Sequence, residues 1–200
     1  MMKRLAVWRR SPHGSRLGFT TFVTALCLVA WGTGSNARAN DYPEAVSSWT
    51  SYTDVADWLD SNFDFDKKRQ GLIQKRLRSQ GPDGLLVRAP ATLYDAPKGY
   101  CADSANFALD ALQRIDPAYD PQWIFIKNAA GPPNHWVTGF HVDGKLYVMD
   151  YGTGKKWSDM KGVHGPYDTL EDYAAYLSSL NMPKFGVGEV RWRDMPGQED

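Results

Sequence analysis

Apolar residues recur at intervals of three and four along the front half of the chain, and this spacing predicts three helices. Thr53 caps the first, the second covers residues 66–79, and the third runs from Cys101 until it stops before Pro117. The residues expected to face the core are Val55, Trp58, Leu59 and Phe63, then Leu72, Ile73 and Leu77, then Ala105, Ala108, Leu109, Leu112 and Ile115. Residues 40–50 form a polar lead, and residues 85–94 are expected to be a loop or a short strand.

Short runs of apolar residues in the second half predict strands instead of helices. Residues 135–142 and 145–152 flank Asp143-Gly144, a strong signal for a two-residue hairpin loop. Further strands are predicted at residues 123–126 and 187–192, and a capping box at Asp168 to Glu171 predicts a helix that ends near Leu180. Helices in front of an antiparallel sheet indicate an α+β fold.

The first 39 residues have the layout of a secretory signal peptide. Basic residues between Lys3 and Arg16 precede an apolar run from Leu17 to Trp31, and Ala37-Arg38-Ala39 supplies small residues for cleavage before Asn40. A membrane anchor is the alternative, but the run is shorter than the ~20 residues that a spanning helix needs. The protein is therefore expected to be periplasmic or secreted, with residues 40–200 as one domain.

Cleavage changes the charge of the chain. It removes six of 23 basic residues and no acid, which leaves 17 basic against 23 acidic residues and a net charge of −6. A chain with net negative charge repels nucleic acid and anionic lipid, so neither is an expected partner. No later segment is apolar enough to insert stably in a membrane.

Cysteine usage is the most informative feature of the composition. Cys101 is the one cysteine after residue 39, so its thiol is either buried and inert or present because it reacts. Unpaired N–H groups and the positive end of the helix dipole gather at the start of a helix, where they stabilise a thiolate. This position favours a reactive thiol.

Hairpin geometry selects a base for that thiol among His135, His141 and His164. With Asp143-Gly144 as the loop, side-chain alternation places His135 and Asp150 on one face as diagonal neighbours, roughly 7–8 Å apart. His141 shares that face but lies four positions away, about 14 Å at ~3.4 Å per residue. His164 lies in a Gly/Pro-flanked loop with no predicted partner. The pair His135 and Asp150 is therefore expected to act together.

These residues resemble the core of the transglutaminase-like cysteine proteinase superfamily, in its exported bacterial branch. The resemblance rests on Gly99-Tyr100-Cys101, then Asn134-His135-Trp136-Val137, then Val148-Met149-Asp150-Tyr151-Gly152. A cysteine opens a helix, a histidine opens a strand, and an acid ends the next strand. The resemblance implies a papain-like or transglutaminase-like core in which the nucleophile helix packs on an antiparallel sheet.

The resemblance also implies a mechanism. The Cys101 thiolate attacks an amide carbonyl, His135 transfers protons, and Asp150 orients the imidazole. The substrate is expected to be a protein or peptide, possibly in the cell envelope. Candidates for an oxyanion donor beside the Cys101 N–H are Tyr94, Asn134 and Trp136.

No cofactor or metal is expected. The exported branch often has calcium-binding acids on both sides of the cysteine, whereas Tyr100 and Ala102 stand there in this chain. No His or Cys pairs occur at metal-ligand spacing elsewhere.

Three other functions stay open. An amine could resolve the acyl-enzyme instead of water, which would make the protein a crosslinking transglutaminase. A cell-wall peptidase would use a similar cysteine and histidine, although its third residue is usually not an acid on the hairpin. A binding domain could keep the fold without the chemistry, with some of the six tryptophans after residue 39 in a groove.

The signal peptide generates the first prediction. Protein recovered from periplasm or medium should begin at Asn40, because signal peptidase reads the small residues before it. N-terminal sequencing checks this, and Ala39→Leu is the control that should block cleavage. Membrane-bound material that begins at Met1 would contradict the prediction.

Overall fold

The computed structural model describes residues 41–200. The predicted signal peptide, residues 1–39, and its cleavage site before Asn40 lie outside the described residues and stay predictions. Across residues 41–200, none of the helices is long and apolar enough to cross a membrane. The helices are α1 Asp41–Ser47, α2 Tyr52–Asn62, α3 Lys67–Gln80, α4 Pro90–Asp95, α5 Cys101–Ile115 and α6 Leu170–Ser179.

Five antiparallel strands form the central sheet. Its order across the sheet is β7-β6-β5-β4-β8. The strands are β4 Gln122–Asn128, β5 His135–Val142, β6 Lys145–Asp150, β7 Gly162–Tyr167 and β8 Val187–Trp192. The predicted α+β class is therefore confirmed, with helices in front of an antiparallel sheet.

The hairpin between β5 and β6 has the predicted register. Val142 pairs with Lys145, and the pairing continues without a shift to Thr138 and Met149. Asp143 and Gly144 form the loop with φ values of 51° and 74°, the two positive values that a type I′ turn requires. The turn chemistry thus fixes which side chains of the two strands share a face.

Helices cover both faces of this sheet. Thr138 of β5 donates from Oγ1 to the carbonyl of Ala105 in α5 at 2.7 Å. Buried residues on the α5 side include Leu59, Phe107, Phe140 and Met149, and those on the α6 side include Val137, Leu146, Val148, Tyr173 and Leu177. Strand β5 is accordingly buried on both faces over most of its length, and the helix that begins at Cys101 packs on the sheet as expected.

Two short parallel pairs hold the start of α5. β1 (Asp64–Phe65) pairs with β3 (Lys98–Gly99), and β2 (Leu85–Val87) pairs with β9 (Gly197–Glu199). The fully buried carboxylate of Asp103, two residues into α5, bonds to backbone N–H groups that follow β2 and β3.

Asp103 accepts hydrogen bonds from three separate elements. Arg69 of α3 donates from Nε at 2.7 Å and from Nη2 at 2.9 Å, and the backbone N–H groups of Arg88 and Tyr100 donate at 2.8 Å and 2.6 Å. Arg69 also pairs with Asp200 at 2.7 Å. The network ties the start of α5 to α3, to the segment after β2 and to the residue that follows β9.

Several local predictions were wrong. Residues 40–50 contain a short helix, α1, instead of a polar lead, because Tyr42 and Val46 lie one turn apart and are buried. Residues 85–94 contain the expected short strand, β2 at Leu85–Val87, but Pro90 then opens helix α4 at a position that tolerates proline. Leu72 is 51% exposed, since α3 presents only a narrow stripe around Ile73 to the core.

Two helix caps lie away from the predicted positions. Ser51, and not Thr53, precedes α2, where the Asp54 carboxylate accepts its backbone N–H at 3.0 Å. The second capping box pairs Thr169 with Asp172, one residue later than predicted. In both cases the acid at the third helical position decides which residue is the cap.

The Asp103 network generates a stability prediction. Asp103→Asn should lower the free energy of unfolding by about 3 kcal/mol, because it leaves the Arg69 guanidinium without its buried counter-charge. Urea denaturation measures the change. Asp168→Asn is the control, because it breaks an exposed pair with Lys145 and should cost less than about 1 kcal/mol. Equal costs in the two variants would contradict the role of the network.

Candidate active site

Cys101 occupies the first position of α5. Tyr100 precedes it with extended backbone, φ −112° and ψ 173°, and the Asp103 carboxylate accepts the Tyr100 N–H. The first N–H groups of a helix have no intrahelical acceptor and point toward a group at its N-terminus. Cys101 is a free cysteine with an exposed fraction of 1%. The thiol therefore lies at the positive end of the helix and away from bulk water.

His135 and Asp150 meet at the open end of the β5–β6 hairpin. His135 Nε2 lies 2.6 Å from Asp150 Oδ2, and each side chain is at most 2% exposed. The other carboxylate oxygen, Oδ1, accepts the backbone N–H of Gly152 at 3.0 Å. Both carboxylate oxygens are thus satisfied, and Nδ1 is the ring nitrogen that remains available. The structure brings this predicted pair together, as the hairpin register requires.

The surroundings of His135 favour its charged form. Burial is the largest single effect and lowers the pKa of His135. The negative charge of Asp150 and its hydrogen bond raise the pKa, and the hydrogen bond and charge of the Cys101 side chain raise it further, so that together they outweigh burial. Together they raise the pKa of His135 from its ordinary value of 6.5 to about 10. The cysteine thus contacts the imidazole that pairs with the acid, and the three predicted residues form one cluster.

Gly152 brings the hairpin against the start of α5. A Cβ atom at Gly152 would lie 2.4 Å from the Cα of Cys101, closer than any side chain can approach a backbone atom. The absence of a side chain at position 152 therefore permits the close approach of the thiol and the imidazole. On another side of the ring, Trp157 lies edge-on to His135 with 6.1 Å between centroids, and its Nε1 donates to the Pro183 carbonyl at 3.1 Å.

Comparison with known proteins identifies the family. A family model described as a transglutaminase-like domain matches residues 40–155, a range that includes Cys101, His135 and Asp150. The chain belongs to the transglutaminase-like family.

One solved structure is a more distant match. LapG from Legionella pneumophila, treated with EGTA, is similar over 57% of this chain and 70% of that chain, with 14% sequence identity and a TM-score of 0.29. This likeness is too remote to bear on fold or function. No curated protein matches the chain.

Sequence reasoning missed the polar contacts that the Tyr100 side chain makes beside the thiol of this transglutaminase-like domain. Gln74 of α3 donates from Nε2 to the Tyr100 hydroxyl at 3.2 Å, and that hydroxyl donates to the Asn134 carbonyl at 3.4 Å. Burial is the largest effect that raises the pKa of Tyr100 well above its ordinary value. The charge of Cys101 and a hydrogen bond between the two side chains raise it further. The neutral hydroxyl of Tyr100 therefore lies against the thiol. The contact with Gln74 joins residues 26 positions apart and leaves no local signal in the sequence.

The structure separates the predicted oxyanion donors. Tyr94, one of the three candidates, packs on Tyr42 and Trp58 in a core cluster that does not contain Cys101. Asn134 uses its side-chain oxygen to accept the Asn128 N–H at 3.1 Å. Trp136 is buried in the same core cluster as Cys101.

The other two histidines are held elsewhere. His141 lies near Trp192, with 6.4 Å between ring centroids. His164, expected to have no partner, lies with Nε2 2.7 Å from the Met160 carbonyl and with Nδ1 3.0 Å from the Tyr176 hydroxyl. Within residues 41–200, no group of three or more His, Cys, Asp or Glu side chains is arranged to hold a metal ion.

The balance of forces on His135 generates a pH prediction. Because its pKa in the folded protein is raised, the ion pair stabilises the fold fully below about pH 6.5 and loses this contribution as pH rises through about 10. In Asp150→Asn the main cause of the raised value is gone and burial remains, so the pKa of His135 should fall well below 10. NMR titration of the His135 ring measures it.

A matched control removes a charge from the same hairpin without touching the imidazole. Asp143 is exposed in the loop, and Asn tolerates its positive φ. Asp143→Asn should leave the titration of His135 unchanged. If Asp150→Asn also left it unchanged, the ion pair would not control the protonation of this ring.

Proposed function

We propose that this transglutaminase-like protein is an exported cysteine hydrolase that cleaves amide bonds in proteins or peptides of the cell envelope. The observation that carries the proposal is the buried 2.6 Å contact between His135 and Asp150 beside a free cysteine at the start of a helix. Family membership and the layout of residues 1–39 support it. Cys101 would be the nucleophile, His135 the base and acid, and Asp150 the orienting residue.

The proposed reaction has two halves. The Cys101 thiolate adds to the amide carbonyl carbon, the C–N bond breaks, and the imidazolium of His135 gives its proton to the departing amine. Water then adds to the thioester, with its proton going to His135, and the C–S bond breaks to release a carboxylic acid. Asp150 binds Nε2 of the imidazole, so Nδ1 would exchange protons with the sulfur, the amine and the water.

Two donors would hold the negative oxygen of the tetrahedral intermediate. The first is the backbone N–H of Cys101, which begins the helix. The second is the Tyr100 hydroxyl, because it lies against the thiol and is held by Gln74. Its one proton would turn from the Asn134 carbonyl, which it reaches at the long distance of 3.4 Å, to the negative oxygen. This assignment replaces Tyr94, and it uses a group that is neutral at physiological pH and can donate.

Single-residue variants test the function. Against a library of quenched fluorescent peptides, Cys101→Ala and His135→Ala should abolish turnover, because they remove the nucleophile and its base. Asp150→Asn should lower kcat by about 10⁴-fold, since the imidazole loses its orientation and tautomer. His141→Ala is the matched control on the same strand and should keep activity near that of the wild type. Initial rates with mass spectrometry of the products measure these effects.

Two further measurements sharpen the test. Tyr100→Phe should lower kcat about 10²-fold or more with little change in KM, as expected for a donor that acts only in the transition state. A fluorescent primary amine added to the reaction distinguishes hydrolysis from transfer, because a transglutaminase would attach it to the acyl group. Equal losses in the His135 and His141 variants, or full activity of Cys101→Ala, would disprove the proposed triad.

A further inference from the structure

A pocket of about 320 Å³ lies directly beside the candidate active site. Tyr100, whose hydroxyl lies against the Cys101 thiol, forms part of its wall, and so do Asn134 and Trp136, the two chain neighbours of His135. A peptide with its amide at Cys101 would therefore have a neighbouring side chain within reach of this pocket.

The interior of the pocket is mainly apolar. Phe125 and Trp136 lie 5.0 Å apart between ring centroids, and Leu77 and Leu85 add aliphatic surface. Its volume is at the lower end of the roughly 300–1,000 Å³ range of ligand pockets. A space of this size and lining suits one large apolar side chain and not an extended ligand.

A cationic group with no acidic partner borders the same space. The Arg193 guanidinium lies 4.9 Å from the centre of Phe125 and 5.8 Å from that of Trp136, and it lines the pocket. Among residues 41–200, Arg193 forms no ion pair, whereas Arg191, two residues earlier in β8, pairs with Glu189 at 3.3 Å. A half-buried guanidinium fixed on aromatic rings is preorganised to bind a carboxylate.

The helix on the other side of the pocket is basic. α3 carries six Lys or Arg residues and no acid, in a chain that is otherwise acidic after residue 39. Arg78 of α3 lines the pocket and, within the described residues, has no ion-pair partner. Like charge on both sides of one cavity attracts an anionic ligand and excludes a cationic one.

We propose that this pocket is the specificity site for the substrate, and that it selects peptides with a large apolar residue next to an acidic residue near the scissile amide. The apolar side chain occupies the cavity against Phe125 and Trp136, and the carboxylate binds the guanidinium of Arg193. This inference rests on the proposed peptidase function, because it gives that site its substrate class.

Peptide libraries with two varied positions test the proposal. The full-length processed protein is given quenched peptides that combine Leu or Ser with Glu, Gln or Lys. Leu–Glu peptides should be cleaved with the highest kcat/KM, roughly tenfold above Leu–Gln peptides, as expected for one charge-assisted contact. The advantage should shrink as NaCl is raised, because the arginine is partly exposed.

Three variants locate the effect. Arg193→Gln should remove the advantage of glutamate through KM with little change in kcat, and Arg193→Lys should restore part of it. Arg191→Gln is the matched control and should leave the preference intact, because that charge is already paired. Leu77→Trp should fill the cavity and reverse the preference for Leu over Ser. Thermal melting of each variant checks that it is folded.

Binding to the Cys101→Ala variant separates the two proposals. Isothermal titration calorimetry should show tighter binding of Leu–Glu than of Leu–Gln peptides to this variant, and the difference should disappear in the double variant with Arg193→Gln. Such binding without cleavage by the wild type would overturn the peptidase function but not the pocket. Equal binding of all peptides, or a preference that survives Arg193→Gln, would overturn the pocket.

Discussion

The buried ion pair of His135 and Asp150 is stable only if the rest of the structure holds the two side chains in close contact and satisfies their remaining hydrogen-bonding groups. Transfer of two charges from water into a protein interior costs several kcal/mol for each ion, and their mutual attraction offsets this cost only when the geometry is close and the remaining lone pairs are satisfied. The 2.6 Å contact meets the first condition, and the Gly152 N–H on the second carboxylate oxygen meets the other. A slip of one residue in the hairpin would turn Asp150 to the opposite face, so the Asp143-Gly144 turn is as necessary to the pair as the two side chains.

A second buried carboxylate, that of Asp103, fixes the position of the thiol. Asp103 lies two residues after Cys101, and its bonds to Arg69 and to the N–H groups of Arg88 and Tyr100 fix the start of α5 from three directions. The hairpin then approaches this fixed point closely enough that position 152 has no room for a side chain. Cys101 and His135 are thus positioned by separate networks that meet only at the site, which explains how residues from a helix and a sheet come together.

The parts of the fold that were predictable are those governed by local chemistry. The turn requires positive φ at two residues that tolerate it, and this fixes the register of the hairpin. Alternation of side chains along the strands then places His135 and Asp150 on one face, so their pairing could be predicted without any knowledge of the fold. Short helices such as α4 are not evident from periodicity, because six residues are too few to show a helical repeat. The contact between Gln74 and Tyr100 could not have been predicted in this way, since it depends on how α3 packs against the start of α5. Exposure of Leu72 was missed for a related reason, because periodicity does not give the width of the buried stripe.

The energetics of the pair also bear on why it is present. Replacement of a buried ion pair by apolar residues of similar volume is often neutral or stabilising, so fold stability alone gives no reason for a histidine and an aspartate at positions that are 2% exposed. The same burial strengthens every electrostatic interaction at the site, because little water is present to screen it. Burial would by itself favour a neutral imidazole, and Asp150 reverses this preference, so that a proton is held next to the sulfur well above neutral pH. An arrangement that gives the fold no advantage over apolar residues but keeps a charged imidazole against a thiol is accounted for by the proposed chemistry and not by packing.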